Sequence, residues 1–268
     1  MNNFNKFSVL LPVYSGENPT FFDLCLDSIS HQTLEPTEVI IVKDGEIGTE
    51  LEKVITKYAK KLNIICTLYE GNLKLTGALL HGLKHCSYEL IARVDSDDIY
   101  HKDRFLEQVK YMSKENISVL GTHVMEFNNK INDLKIIRKG SKGTGNILRS
   151  NPVHHASVIF RKSDIISSGN YKPLEGFEDW YLWLRVNKNG YRIENIPKVL
   201  TYARVGSNFF KRRSGIKYVK QEINAHILFY KDNLLPLLNI LINLLIRLPV
   251  RMAPEKLIKL IYVISRKI

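Results

Sequence analysis

The stretch Tyr88-Glu-Leu-Ile-Ala-Arg-Val-Asp-Ser-Asp-Asp98 decides how this chain is read. A strand-like apolar run, Tyr88 to Val94, delivers three carboxylates, Asp95, Asp97 and Asp98, to a single turn. Like charges this close raise one another's pKa unless positive charge compensates them. A hard divalent cation with oxygen ligands, Mg2+ or Mn2+, is the usual compensation. The competing reading is structural, because Asp also favours turns and helix N-caps.

Upstream of this stretch, strand-like and helix-period runs alternate. Phe7-Ser-Val-Leu-Leu11 reads as a strand, followed by Asn18 as N-cap and Pro19 as first helical residue. Phe22, Cys25, Leu26 and Ile29 then share one helical face. Glu38-Val-Ile-Ile-Val42 is a second strand ending in Lys43-Asp44-Gly45, and a helix from Thr49 to Lys61 buries Leu51, Val54, Ile55 and Tyr58. Asn63 to Leu68 makes a third strand, and Leu75, Leu79 and Leu83 stripe the next helix. The alternation predicts an α/β fold with a mostly parallel central sheet.

Strands in this pattern finish at Pro12 to Tyr14, at Asp44 and at Asp95 to Asp98. In open α/β sheets, ligands bind outside the carboxyl ends of the strands. Neither a dinucleotide fingerprint nor a phosphate-cradling glycine loop follows the first strand. A nucleotide bound here is therefore held differently: Asp44 on base N–H groups, Asp95 on ribose hydroxyls, and a metal on Asp97 bridging the phosphates.

In the second half, Gly140 to Gly145 is a polar loop, and Asn151-Pro-Val-His-His-Ala156 brings two histidines to the start of a strand at Ser157 to Phe160. One of His154 and His155 is a candidate donor to phosphate or sugar, against the reading of plain core or surface histidines. Metal ligation by both is disfavoured, because adjacent strand side chains point to opposite faces. Gly176-Phe-Glu-Asp-Trp180 opens an aromatic-rich helix that stops near Asn189-Gly190. The helix dipole favours Glu178 and Asp179 in a first turn without any catalytic duty.

With 268 residues and 44% hydrophobic content the chain can bury a full core. The formal charge of +12 is concentrated from Arg204 to Ile268, where thirteen Lys and Arg face Glu222, Asp232 and Glu255, a net of 13 − 3 = +10. No zinc-finger, aromatic RNA-platform or basic-zipper pattern accompanies that charge, so nucleic acid is not the expected partner. Cys25, Cys66 and Cys86 read as reduced core residues of a cytosolic protein. The run Phe7 to Tyr14 contains Pro12 and suits a buried strand better than an export signal. The apolar stretch Leu234 to Ile246, interrupted by Pro236, Asn239 and Asn243, falls short of the roughly 20 residues that span a bilayer.

Taken in order, these pieces resemble the family 2 inverting glycosyltransferases with the GT-A nucleotide-sugar fold, from about Phe7 to Gly215. The resemblance rests on Ser8-Val-Leu-Leu-Pro-Val-Tyr14, on Gln32 through Val42 to Asp44-Gly45, and on Ile91-Ala-Arg-Val-Asp-Ser-Asp-Asp98. It continues in Glu178-Asp-Trp-Tyr-Leu-Trp-Leu-Arg185, Tyr202-Ala-Arg-Val-Gly-Ser-Asn208 and Lys211-Arg-Arg213. It implies that Pro12, Tyr14, Asp44, Arg93 and Asp95 bind the nucleotide of a UDP-sugar, and that Asp97 ligates Mn2+ or Mg2+ on its diphosphate. It implies Asp179 as general base with Glu178 in support. Arg212 and Arg213, with His154 or His155, are then expected at the diphosphate or acceptor.

The chain departs from the family pattern at Lys74 and Leu80, where many relatives carry glycine and asparagine, and at Tyr202-Ala203-Arg204, where a Tyr-Arg pair is usual. No histidine follows that segment at the position some relatives use near the metal, which leaves a third protein ligand unassigned.

Residues 216–268 read as a separate helical region: Ile216 to Tyr230, Leu234 to Leu248 and Pro254 to Lys267. Leu257, Ile258, Leu260, Ile261 and Ile264 interleaved with Lys256, Lys259, Arg266 and Lys267 suggest helices lying on an anionic membrane. Packing on the core or in a dimer is the alternative. The layout resembles bacterial enzymes of O-antigen and exopolysaccharide assembly, peripheral on the inner face of the inner membrane. These extend a sugar on undecaprenyl diphosphate, and a β-1,3-galactosyltransferase acting on lipid-linked GlcNAc is the specific expectation. The rivals are a sugar-nucleotide nucleotidyltransferase and a non-catalytic membrane or nucleic-acid adaptor.

Overall fold

A computed structural model describes residues 6–69, 74–128, 136–145, 147–206 and 209–267. Its first half is a run of strand–helix units: β1 (Phe7–Tyr14), α1 (Pro19–Ser30), β2 (Glu38–Asp44), α2 (Thr49–Tyr58), β3 (Ile64–Tyr69), α3 (Lys74–His85) and β4 (Leu90–Arg93). The expected cap of α1 is present: Asn18 Oδ1 accepts from the Thr20 and Phe21 N–H groups at 2.9 and 3.3 Å, with Pro19 next in line. All four strands pair in parallel, in the order β3-β2-β1-β4.

The second half adds β5 (Ile99–Tyr100), α4 (Arg104–Lys114), β6 (Val119–Phe127), β7 (Ile136–Arg138), β8 (Ile159–Arg161), α5 (Lys162–Ser167), α6 (Glu178–Lys188) and β9 (Ile193–Arg204). Strand β8 runs antiparallel between β4 and β6, and β6 pairs in parallel with β9, so the sheet continues β4-β8-β6-β9-β5. The long ladders are the parallel ones, as the alternation predicted. The register between β6 and β9 steps from Thr122–Ile196 to His123–Val199, passing over Pro197, which has no N–H to give a ladder.

Alternate residues of the central strands feed two cores. Leu10, Ile40, Val42 and Ile91 face α3 and α6, while Val9, Leu11, Val39, Ile41 and Ala92 face α1, α2 and α4. Burial on both faces is why these strands read as continuous apolar runs. Helix α3 lies so close to the sheet that a Cβ at Gly82 would stand 2.4 Å from Leu10 Cδ1 and 2.5 Å from Val42 Cγ2.

The chain ends in α7 (Gly215–Lys231), α8 (Leu237–Met252) and α9 (Glu255–Lys267). Tyr218, Ala225, Phe229, Leu234, Leu235 and Ile240 enter the same core as Trp180 and Trp183 of α6. Glu222, fully buried on α7, binds Arg247 and Arg251 of α8 at 2.9 and 2.8 Å. Among the described residues, no helix is long and apolar enough to cross a membrane.

Two expectations need correction. Cys25 and Cys86 are buried, but Cys66 is exposed, because β3 is the edge strand and its apolar pattern faces less cover than a central strand has. The strand expected at Ser157 to Phe160 begins later: His155–Ser157 form a single turn of 3-10 helix, and β8 starts at Ile159.

Candidate active site

The carboxyl ends of the parallel strands bring the predicted donor residues together. In register, Tyr14 at the end of β1 stands beside Asp44 at the end of β2, and Asp44 beside Tyr69 of β3. Tyr14 is exposed and Asp44 half-buried, an open edge at which a flat ring can lie. Pro12 sits one pleat below Tyr14, partly buried.

The next strand of the sheet, β4, leads into the acidic turn, whose carboxylates have separate environments. Asp95 is gripped through both oxygens by Arg93, whose NH1 lies 2.5 Å from Oδ2. Arg93 itself is only 2% exposed, so its guanidinium sits behind Asp95 and fixes where that carboxylate points. The Asp95 N–H donates to the Tyr100 hydroxyl at 2.7 Å. Asp98 is buried, and its Oδ1 accepts the Arg204 backbone N–H at 2.8 Å, tying the turn to the end of β9. Arg204 Nε also donates to the Asp97 carbonyl at 3.0 Å, and its guanidinium stacks 3.7 Å from the Phe21 ring. Asp98 thus has a structural tie, but to the end of β9 and not the helix cap expected; the N-cap position of the next helix, α4, is Asp103.

Asp97 is the carboxylate of the turn that no described side chain bonds; its own backbone N–H steadies it. Burial, then the neighbouring Asp95, pushes its pKa up to about 6. Glu17, in the loop after β1, faces the same turn and bonds the Ser96 side chain. Burial pushes Glu17 up to about 7, against that bond, with Asp97 and Asp95 adding to the rise. Such a group of carboxylates with raised proton affinity is what a hard cation relieves. Among the described residues, no three His, Cys, Asp or Glu side chains assemble around one point. An Mg2+-type ion needs only one or two protein carboxylates when it is shared with substrate phosphates and water, and Asp97 and Glu17 are the residues here that could supply them.

Glu178 and Asp179 open α6 as expected. Asp179 Oδ1 accepts the Trp180 N–H at 2.7 Å and Oδ2 accepts Asn151 Nδ2 at 2.5 Å. A helix N-terminus lowers a carboxylate pKa, yet burial outweighs it here and the Asp179 pKa is raised. Burial, then Asp179, pushes Glu178 up to about 7. The charge of Arg93 favours the ionised form of both, and of Asp97 and Asp98, so this buried guanidinium acts on both acidic groups.

Of the remaining expected residues, His155 and Arg213 are tied to the site, through Arg93 and Asp179 respectively. His155 Nε2 pairs with the Tyr171 hydroxyl at 2.9 Å, and burial together with Arg93 holds its pKa well below the usual imidazole value, so it is neutral. His154 is partly buried, and its carbonyl accepts the Ser157 N–H at 2.8 Å. Arg212 and Arg213 form the last turn before α7; Arg213 stacks 3.9 Å from the Phe209 ring, and its charge favours ionised Asp179. The Asn72 to Gly82 segment begins in residues outside those described.

Asn151, Tyr171 and Glu17 belong to the site and carried no signal strong enough to single them out. Asn151 stood in the quoted Asn-Pro-Val-His-His run, but nothing local says that its amide reaches α6.

The fold is that of the GT-A glycosyltransferases. S. aureus TarS in complex with UDP-GlcNAc superposes with a TM-score of 0.65 at 20% identity, over 83% of this chain and 66% of that chain. The mannosyltransferase PcManGT from Pyrobaculum calidifontis, in complex with GDP-Man and Mn2+, gives 0.62 at 17% identity, over 85% and 64%. Sequence narrows the class: the Glycosyl transferase family 2 model matches residues 8–165, and the chain belongs to that family. It is 36% identical over 96% of its length, and 95% of the relative's, to an Escherichia coli UDP-Gal:alpha-D-GlcNAc-diphosphoundecaprenol beta-1,3-galactosyltransferase. It is 34% identical to the amylovoran biosynthesis glycosyltransferase AmsE of Erwinia amylovora, covering 97% of this chain and 99% of that one. The protein is thus a glycosyltransferase, which sets aside the nucleotidyltransferase and adaptor readings.

Proposed function

We propose that this enzyme transfers a hexose, galactose before glucose, from a UDP-sugar to GlcNAc carried on undecaprenyl diphosphate, with inversion to a β-linkage. The observation that carries the reading is that buried Arg93 grips Asp95 and its charge also acts on Asp97, Glu178 and Asp179. The E. coli relative supports the choice of donor and acceptor.

In this reading Tyr14 and Pro12 flank the uracil, Asp44 accepts from its N–H, and Asp95, aimed by Arg93, accepts from the ribose. Asp97 is the protein ligand of an Mn2+ or Mg2+ ion. When bound, the ion would neutralise charge on the diphosphate oxygens. Asp179 takes the proton of the acceptor hydroxyl as that oxygen bonds the anomeric carbon. The bond from that carbon to the β-phosphate oxygen breaks, and its electrons leave with UDP. Raised proton affinity makes Asp179 a better base than an exposed aspartate, and Asn151 fixes its plane. Arg212 and Arg213 meet the charge that develops on the departing diphosphate, a task suited to guanidinium forks. Neutral His155 can donate to a sugar hydroxyl or phosphate through the nitrogen not engaged by Tyr171.

Residues 1–215 carry this chemistry, and residues 216–268 face the acceptor's membrane. Leu238, Leu241 and Leu245 on α8 and Leu257, Leu260 and Ile264 on α9 are exposed apolar side chains at helical spacing, and residues 216–268 carry nine Lys and Arg against three acids, a net of 9 − 3 = +6. Such faces suit an anionic lipid surface. The sugar nucleotide places the work on the cytoplasmic face of the bacterial inner membrane.

The test is a panel of UDP-sugars against a synthetic GlcNAc-α-diphosphoryl lipid, with and without Mn2+. A β-linked galactosyl product formed by the wild type, and abolished in both Asp97→Ala and Asp179→Ala, is the expected result. Turnover unchanged in both variants would falsify the assignment.

A further inference from the structure

The segment between the Gly140 loop and β8 is held through its main-chain carbonyls from several sides. Trp180 Nε1 donates to the Ile147 carbonyl at 2.8 Å. Two donors come from α8: Asn243 Nδ2 to the Leu148 carbonyl at 2.8 Å, and Arg247 NH2 to the Arg149 carbonyl at 2.7 Å. Asn195 Nδ2 and the Ser141 N–H reach the Pro152 carbonyl, both at 3.0 Å. In the middle stands Asn151, whose Oδ1 accepts the Val153 N–H while Nδ2 donates to Asp179.

Asn243 is one of the residues that interrupt the apolar stretch of the tail, and the transfer chemistry gives it no role. It is 2% exposed, on the side of α8 opposite Leu241 and Leu245. A buried amide on an otherwise apolar helix costs free energy unless it is bonded, and here its bond goes to the segment carrying Asn151. Arg247 adds a second tie and also stacks 4.9 Å from the ring of Trp180, the residue after Asp179.

We propose that Asn151 is a positioning residue for Asp179, and that α8, through Asn243 and Arg247, keeps Asn151 in place. The helix with the apolar outer face thereby forms part of the mounting of the base. The inference rests on Asp179 acting as that base. An amide donor on Oδ2 fixes the carboxylate plane and leaves the remaining lone pairs for the acceptor hydroxyl. A main-chain segment pinned at four carbonyls moves little, which is what placing a base within hydrogen-bond reach requires. The charged and titratable groups that act on Asp179 are Glu178 beside it, Arg93 from β4, Arg213 from the turn before α7, and Tyr171 after α5. Substitution of Asn151 or Asn243 leaves all of these in place.

The experiment measures kcat and KM against pH for the full chain with a short-chain lipid-diphosphate GlcNAc acceptor. Asn151→Ala is expected to lower kcat by roughly 10- to 100-fold with the KM for UDP-sugar unchanged. Its acid limb should move up by about one pH unit, because a donor to the ionised carboxylate is lost. Asn151→Ser, which keeps a donor, should restore the acid limb at least in part, and Asn243→Ala should shift it in the same direction by less. If Asn151→Ala keeps UDP-sugar binding and the wild-type acid limb, or if Asn151→Ser behaves as Asn151→Ala, the proposal is overturned. Failure of the underlying reading is separate: it is an Asp179→Asn variant that retains wild-type kcat.

Discussion

Replacing Asp97 by Asn should make the metal-free protein more stable while abolishing its activity. Asp97 has a pKa of about 6 in the folded chain against an ordinary value of 3.8, with burial the first cause and Asp95 the second. Between these values the folded state holds more protons than the unfolded state, so stability falls as pH rises through the window and levels off above it. A gap of about two pKa units corresponds to about 3 kcal/mol. The neutral amide is insensitive to pH and removes that penalty. In EDTA at about pH 7.5 the Asp97→Asn variant should exceed wild type by about 3 kcal/mol, or roughly 6–12 °C in Tm for a chain of this size. Near pH 4 the two should converge. Adding Mn2+ should raise the Tm of wild type only, since the variant lacks the carboxylate. Thermal melts of both proteins across pH, with EDTA or Mn2+, read all of these. An Asp97→Asn variant whose Tm in EDTA stays within about 1 °C of wild type at neutral pH would show that the acidic turn stores no such repulsion, and the argument for a cation there would fail.

Asp179→Asn should lower kcat by roughly 10²- to 10⁴-fold while calorimetric UDP-sugar binding persists. The wild-type rate should climb through about pH 7, because the Glu178–Asp179 pair must shed a proton to act and Glu178 sits near that value; a pH–kcat profile checks this. Leu241→Glu combined with Leu245→Glu should abolish sedimentation with anionic vesicles and leave turnover of a short-chain acceptor unchanged, since both side chains are exposed. A chain ending at Ser214 should aggregate on expression: it loses Phe229, Leu234, Leu235 and Ile240, each worth roughly 1.5–3 kcal/mol of burial, against a total stability of roughly 5–15 kcal/mol. A monomeric fragment that still binds UDP-sugar would contradict that.

The parallel half of the molecule was legible because each of its elements is specified locally. Asn18-Pro19 caps α1 as the sequence says, and strand ends at Tyr14, Asp44 and Arg93 fix where the donor residues emerge. Glu178 and Asp179 were legible for the same reason, lying in the first turn of a strongly patterned helix. What sequence left out depends on distant partners. The amide of Asn151 meets Asp179 across 28 positions, and Asp98 meets the Arg204 N–H across 106. Neither pair has a period or a turn motif to announce it. Cys66 reads as a core residue because apolar character alone does not distinguish an edge strand from a central one. The helix dipole suggests a lowered pKa for Asp179; burial, invisible along the chain, reverses the sign.

The basic tail shows why net charge is a poor guide to what a segment does. Its +10 suggests a surface that binds anions, yet several of its cations are engaged inside the molecule. Arg247 and Arg251 neutralise buried Glu222, and Arg204 laces the acidic turn to β9. Arg213 acts on Asp179. The proposed membrane attraction would therefore come from the rest, such as exposed Lys256, and above all from apolar side chains such as Leu238 and Leu245, 68% and 76% exposed. Those leucines stand on a helix whose other side, at Ile240 and Asn243, closes the core and holds the segment beside Asp179. On the proposed membrane role, burial of apolar area would drive surface association with charge as a secondary term, so vesicle binding should survive raised salt better than loss of the leucines.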